Sequence, residues 1–207
     1  MTPHDLTLTD YDAPYLAEPI RFIFSYGKIA FHDDRISFND FPIKKPALGL
    51  PFGHIPILRV NGTTYAQSGA IARYAAKLAG LYPLDPLESL EVDMIMDTVM
   101  EVTMAVVDAI HHTESDDDQA KAVAQLNKSQ LPRLLQGLEK RVVGPYCTGD
   151  KVTAADLYWL HFYLFSWVPN RNQLEASPSD FPKLNTIATS LQHCNQLAEY
   201  FAKHNVA

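Results

Sequence analysis

Two pairs of residues in the first third of the chain have types and spacing suited to holding a small anionic peptide. The first is Ile55-Pro56. Proline has no N–H and so fits a strand edge better than a strand centre. A cis bond there would expose the Ile55 backbone as an edge on which an extended peptide can pair. The second pair is Gln67-Ser68. Free N–H groups and a hydroxyl at a helix N-terminus form a carboxylate site without a cation. The plain alternative, for either pair alone, is an ordinary hairpin followed by a Ser-capped helix.

The elements that position these pairs are legible around them. Residues 52–81 read strand, turn, strand, polar corner, helix. Ile55, Ile57 and Val60 mark a short apolar strand, and Asn61-Gly62 is a hairpin signal because both residues tolerate positive φ. Thr63, Thr64 and Tyr65 pair back. Ile71, Tyr74, Ala75 and Leu78 then fall on one helical face, and Gly80 closes the helix. Upstream, Leu6 and Leu8 alternate with Thr7 and Thr9 as a half-buried strand, and DYDAP follows as a turn. Leu16, Ile20, Ile23 and Phe24 mark an amphipathic helix that tolerates Pro19 in its first turn and ends at Gly27. Residues 31–36 read as a second strand. Residues 39–51, with Phe41, Lys44 and Lys45, read as a Pro-rich loop.

LYPLDP, residues 81–86, separates this mixed α/β pattern from a continuously helical one. Residues 87–111 lack Gly and Pro, and Leu90, Met94, Val99, Val102, Val106 and Ile110 suggest one long buried helix. ESDDD, residues 114–118, reads as a solvated helix start, since contiguous carboxylates cannot all converge on one ion. His111 and His112 point about 100° apart on a helix, which argues against a metal pair. Residues 121–143 read as a helix kinked at Pro132. Thr153 and Asp156 form a capping-box pattern with Val152 and Leu157 as its staple. His161 reads as a core residue, SPSDFP as a loop, and residues 184–201 as a last helix.

Composition narrows the function classes. The chain has 207 residues, 47% of them hydrophobic and 20% charged, enough for one or two small domains with a sizeable core. The net charge of −7 disfavours nucleic acid as a partner. There is no membrane-spanning apolar run and no signal-peptide core in MTPHDLTLTD. Cys147 and Cys194 have no CxxC or metal spacing, so a cytoplasmic protein without structural disulfides is expected.

LPFGHIPIL followed by QSGAIARY resembles the glutathione-binding half of the cytosolic glutathione transferases. The nearest classes are sigma, which includes prostaglandin D synthase-type enzymes, and mu. TGDKVTAADLYW carries a second resemblance, so the similarity runs over most of the chain. It implies a thioredoxin-like α/β domain over residues 1–80, a linker at 81–86 and an all-α domain over 87–207. It also implies glutathione as cosubstrate, no metal, a homodimer, and a small hydrophobic substrate in a pocket between the domains, formed by residues 11–15, 104–111 and the C-terminus. The glutathione contacts carried over are Tyr11, Phe41, Lys45, His54, Ile55, Pro56, Gln67 and Ser68. Phe41 stands where the sigma pattern has Trp, and Lys45 is favoured over Lys44. Phe52 takes the place of the loop aromatic that packs on the partner subunit. Glu101 takes the acidic position that contacts the glutathione amine bound to the other subunit.

In those classes a Tyr at the end of the first strand donates a hydrogen bond to the glutathione sulfur, favouring thiolate. Counting back from Ala17-Glu18 places Asp10 at that position, Tyr11 at the following aromatic and Pro14 at the usual Arg. A carboxylate beside the sulfur would raise the thiol pKa. Tyr11, reached by a one-residue shift, is the first candidate for the catalytic hydroxyl and Tyr15, near the helix start, the second. The expected function is glutathione-thiol activation for conjugation to, or isomerisation of, a hydrophobic electrophile. The alternative is a non-catalytic glutathione-binding or crystallin-like structural protein on the same fold.

Overall fold

A computed structural model describes residues 5–206. It divides into two compact units: the described residues up to Tyr82 together with those from Asn195 onward, and Pro83–Cys194. The last helix therefore groups with the N-terminal unit.

The first unit is built on a four-stranded sheet of order β2-β1-β3-β4, with β1 at Leu6–Tyr11, β2 at His32–Ile36, β3 at Ile57–Val60 and β4 at Thr63–Ala66. β1 and β2 are parallel, and β1/β3 and β3/β4 antiparallel. Parallel neighbours need a crossover, supplied by α1 at Glu18–Tyr26, with Pro19 in its first turn. This is the thioredoxin-like arrangement expected. The hairpin closes at Asn61 (φ 48°) and Gly62 (φ 85°), the positive pair a two-residue turn needs. α3, Ser68–Leu78, ends where Gly80 (φ 69°) lets Leu81 N–H reach Ala76 O and Gly80 N–H reach Lys77 O, a Schellman closure. α9, Asn195–His204, lays Tyr200 and Phe201 edge-on to Phe22 of α1.

Several details depart from the sequence reading. β3 starts at Ile57, so Ile55 and Pro56 precede the strand. Residues 39–51 are not wholly loop: α2, Phe41–Lys44, runs into a 3-10 turn at Lys45–Ala47, with Pro42 and Pro46 each in a first turn where their missing N–H is harmless. On α3 the buried residues are Ile71, Ala72, Ala75 and Ala76, while Tyr74 and Leu78 are half-buried.

The second unit is all helical: α4 at Pro86–His111, α5 at Asp116–Gln125, α6 at Leu131–Arg141, α7 at Ala154–Phe162 and α8 at Pro182–Gln192. Asp85 caps α4 by accepting from Leu87 and Glu88 N–H. The buried stripe of α4 is Val92, Ile95, Met96, Val99, Val102 and Val106. Leu90 is exposed and Met94 half-buried, against expectation, because each lies two residues, about 200°, from a stripe position. The kink expected at Pro132 is a π-helical turn over Leu126–Gln130, after which Pro132 falls in the first turn of α6. The expected last helix over 184–201 is two helices, α8 and α9, broken at His193-Cys194. SPSDFP contains a 3-10 turn at Pro178–Asp180 capped by Ser177.

Asp156 fastens the start of α7. Its carboxylate accepts from Cys147 N–H (2.7 Å), Thr153 N–H (2.8 Å) and Thr153 Oγ1 (2.9 Å). The box thus also ties down the preceding loop through Cys147. Asp156→Ala leaves these buried donors without an acceptor and should lower the unfolding free energy by about 3 kcal/mol. Urea denaturation checks this; a loss under about 1 kcal/mol would mean water replaces the carboxylate.

Candidate functional site

The β3/β4 ladder pairs Ile57 with Ala66, and the β1/β3 ladder pairs Thr9 with Ile57. Ile55-Pro56, Gln67-Ser68 and Tyr11 therefore all leave the sheet at the same end. The Ile55-Pro56 bond is cis. Gln67 occupies φ 76°, ψ 104°, a conformation rare for a residue with a side chain. It is the N-cap of α3 without a side-chain cap bond, and Ser68 is the first helical residue. The Ser-capped helix of the plain reading is thus absent.

The end of β1, the β1–α1 loop, the β2–α2 turn and α2 bring four aromatic rings together. Tyr11 stacks on Phe38 (centroids 4.5 Å, 23°) and meets Phe41 edge-on at 5.2 Å. Tyr15 lies edge-on to Tyr11 at 6.3 Å and to Phe38 at 5.9 Å. Lys45 Nζ lies 5.7 Å from the Phe41 ring centroid, within cation–π range, so Lys45 rather than Lys44 is the lysine held at this aromatic. A cleft of about 410 Å³ beside it is lined by Pro42, Lys45, Pro46, Gly49, Leu50 and Gly53, and His54 follows, exposed, in the next bend. Burial, then the nearby Asp10 carboxylate and Tyr15, pushes the Tyr11 phenol upward, so it holds its proton at neutral pH as a donor. Glu101 belongs to the second unit, where it is exposed and pairs with Arg133 at 3.2 Å.

Two residues at or beside the position counted back from Ala17-Glu18 are committed elsewhere. Asp10 is buried and its Oδ2 accepts from Ala17 N–H at 3.0 Å. Thr9 is buried and its hydroxyl donates to Asp34 at 2.9 Å, which removes Thr9 as a free donor. Burial pushes the Asp10 carboxyl above its ordinary value despite the N–H groups of Tyr11 and Ala17 and the Arg21 charge, which pull it down.

Comparisons with known proteins bear on the family and the fold. Residues 101–204 match the family described as glutathione S-transferase, C-terminal domain. Glutathione S-transferase S1 of Drosophila melanogaster is 31% identical over 180 residues, 85% of this chain and 71% of the relative. Hematopoietic prostaglandin D synthase of Mus musculus is 39% identical over 145 residues, 69% of this chain and 70% of the relative. The chain belongs to the cytosolic glutathione transferase family. Its relatives are of the sigma/mu-like, prostaglandin D synthase type. The solved structure described as rat hPGDS complexed with a quinoline is 30% identical, with a TM-score of 0.82 over 96% of each chain. The prostaglandin synthase D structure of Nilaparvata lugens, at 23% identity, TM-score 0.84, 96% of this chain and 98% of that one, shares the fold.

Membership of this family implies glutathione as the ligand. Among the described residues no cluster of His, Cys, Asp and Glu could hold a metal ion, and no helix is long and apolar enough to cross a membrane. Sequence reasoning missed Phe38, whose ring completes the aromatic cluster, and Arg21, Asp33 and Arg35, which hold the β1–α1 loop. An arginine one turn after Glu18 on an otherwise apolar helix was the available signal.

Asp10 supplies a pH test. Its raised folded-state pKa means the fold favours the neutral carboxyl. The stabilisation is complete below the ordinary value of 3.8 and is lost as pH rises through the raised value. Asp10→Asn keeps an oxygen acceptor for Ala17 N–H and removes the titration. The parent should therefore gain stability relative to Asp10→Asn as pH falls through that window, in urea denaturation across pH. The opposite slope would show that the N–H bonds and Arg21 outweigh burial.

Proposed function

We propose that the chain binds glutathione at the shared end of β1, β3 and β4 and activates its thiol for conjugation to, or isomerisation of, a small hydrophobic electrophile. The observation that carries this reading is Gln67, held at positive φ on a helix N-terminus with no side-chain cap bond. Strained residues of this kind persist where a ligand makes use of them, and the helix start offers N–H groups to a carboxylate. Gln67 and Ser68 would take the γ-glutamyl carboxylate, the Ile55 backbone beside Pro56 would pair with the cysteinyl residue, and Lys45 with Phe41 and His54 would meet the glycyl end. Tyr11 is the first choice for the hydroxyl at the sulfur and Tyr15 the second. In conjugation the thiol proton leaves to solvent, the thiolate forms the S–C bond, and the leaving group departs with its electron pair. The relatives named prostaglandin D synthase are why isomerisation stands beside conjugation.

A second reading, glutathione binding without turnover, is favoured by one observation: the Asp10 carboxylate, which the count along the sequence sets at the family's usual Tyr, is buried and accepts from Ala17 N–H. One experiment separates the two. Ser68→Ala should weaken glutathione binding by about 1.5–3 kcal/mol, and Gln67→Ala similarly. Tyr11→Phe should keep binding, lower turnover and raise the bound thiol's pKa in an ultraviolet thiolate titration. If that pattern moves to Tyr15→Phe, Tyr15 is the donor. Binding without turnover in the parent, across aromatic halides and peroxides, supports the second reading. Unchanged affinity in both Ser68→Ala and Gln67→Ala overturns the site.

A homodimer in a cytoplasmic setting belongs to the same proposal. Phe52 and Tyr65 in the first unit, and Leu84, Leu87 and Leu90 in the second, are exposed apolar side chains of the kind a self-complementary interface covers. Neither cysteine forms a disulfide, as in a reducing compartment. Glu101 would then face the glutathione amine bound to the other subunit. Sedimentation at micromolar concentration should give a dimer that Phe52→Ser weakens; a monomeric parent removes both the dimer and the Glu101 role.

A further inference from the structure

Five side chains from three elements close a ring inside the first unit. Tyr200 Oη on α9 donates to Glu18 Oε1 on α1 (2.6 Å) and accepts from Arg35 Nη2 on β2 (2.9 Å). Glu18 Oε2 accepts from Arg21 Nη1 (3.0 Å). Arg21 Nε and Arg35 Nε donate to the two oxygens of Asp33, at 2.9 and 2.7 Å, and the ring returns to Tyr200. Two carboxylates balance two guanidiniums. Glu18, Arg21 and Tyr200 are all buried, so the bonds among them form where water competes poorly, while Asp33 and Arg35 are half-buried.

The ring reaches outward into the β1–α1 loop. Arg21 donates to Ala13 O (3.3 Å) and Tyr11 O (3.4 Å), and Arg35 Nη1 to Asp12 Oδ1 (3.4 Å). These bonds are long beside the 2.6–3.0 Å bonds within the ring, so they are the first to yield if a guanidinium is drawn elsewhere. Removing the Tyr200 hydroxyl leaves Glu18 Oε1 without its donor and Arg35 Nη2 without its acceptor. A buried carboxylate in that state turns to the nearest guanidinium, which pulls Arg21 or Arg35 away from the loop.

We infer that Tyr200 is a positioning residue: its hydroxyl sets Arg21 and Arg35 on residues 11–13 and thereby fixes where the Tyr11 and Tyr15 hydroxyls lie. The consequence for turnover rests on the glutathione reading above; the hold on the loop does not. The C-terminal helix is then part of the thiol-activating apparatus without touching the thiol.

Tyr200→Phe in the full chain tests this, since it keeps the ring contacts with Phe22 and removes one oxygen. Amide hydrogen exchange without glutathione should quicken about tenfold at Asp12 and Ala17, the size of one lost hydrogen bond. The rest of the sheet should exchange as in the parent. Turnover should fall about tenfold with glutathione affinity within about twofold, a split that simple loss of fold would not give. Arg35→Lys opens the ring from the other side and should repeat the result, which keeps the test decisive if Tyr200→Phe fails to fold. Glu199→Gln, exposed on the same helix, should match the parent. Unchanged loop exchange in both ring variants, exchange rising evenly through the unit, or full turnover despite faster loop exchange would each overturn the inference. A parent that neither binds nor turns over glutathione would defeat the proposed function, and loop exchange alone would then decide whether Tyr200 holds the loop.

Discussion

A guanidinium without access to water sets the terms for the first unit. Arg21 has no exposed surface. A buried charge is tolerated only when it is paired and its donors are satisfied. Glu18 and Asp33 supply the pairing, and the carbonyls of Tyr11 and Ala13 take further donors. Removing one partner of such a set costs about 3–5 kcal/mol, because the charge left behind has nowhere to go. The acid on α1, the acid on β2 and the path of the β1–α1 loop are therefore mutually required. α9, which groups with the first unit, joins this set through the Tyr200 hydroxyl and packs Tyr200 and Phe201 on Phe22 of α1.

The same constraint shapes the candidate site. Thr9 and Asp10 turn inward and bond to Asp34 and Ala17, which leaves Tyr11 and Tyr15 as the hydroxyls of the loop surface. Their rings are fixed by Phe38 and Phe41. A phenol held in an aromatic cluster, with its backbone carbonyl accepting from Arg21 at 3.4 Å, loses little freedom on meeting a ligand. The second unit uses a related device: the buried Asp156 carboxylate gathers three donors at the start of α7, and Trp159 and Trp167 pack edge-on at 5.6 Å behind it.

Much of the fold was legible because its signals are local. Alternating Leu and Thr marked β1, and Asn61-Gly62 marked the hairpin. The two prolines of LYPLDP marked the change of pattern at 81–86. The glutathione-family motifs were legible as a resemblance, and Gln67-Ser68 stood out by residue type. The errors also had local causes. Phases read from Leu90 and Met94 misplaced the α4 stripe, since an apolar residue signals a buried face only if it lies on that face. Pro42 and Pro46 suggested a loop, yet each begins a turn of helix where proline is harmless.

By itself the sequence determined the Asn61-Gly62 turn, the helix stops at Gly27 and Gly80 and the box at Thr153 and Asp156, because each depends on backbone dihedrals and on neighbours a few residues away. Asn61 and Gly62 accept positive φ wherever they are placed, and Gly80 ends α3 without help from the rest of the chain. Only the tertiary structure decided that Asp10 turns inward, that Tyr11 stacks on Phe38, and that Arg21 and Arg35 share Asp33. It also joined Tyr200 to Glu18, 182 residues away in sequence, and Arg35 to Tyr200 across 165. No pattern along the chain encodes such pairs, since the direction of a buried polar side chain is set by the donors and acceptors that folding brings beside it.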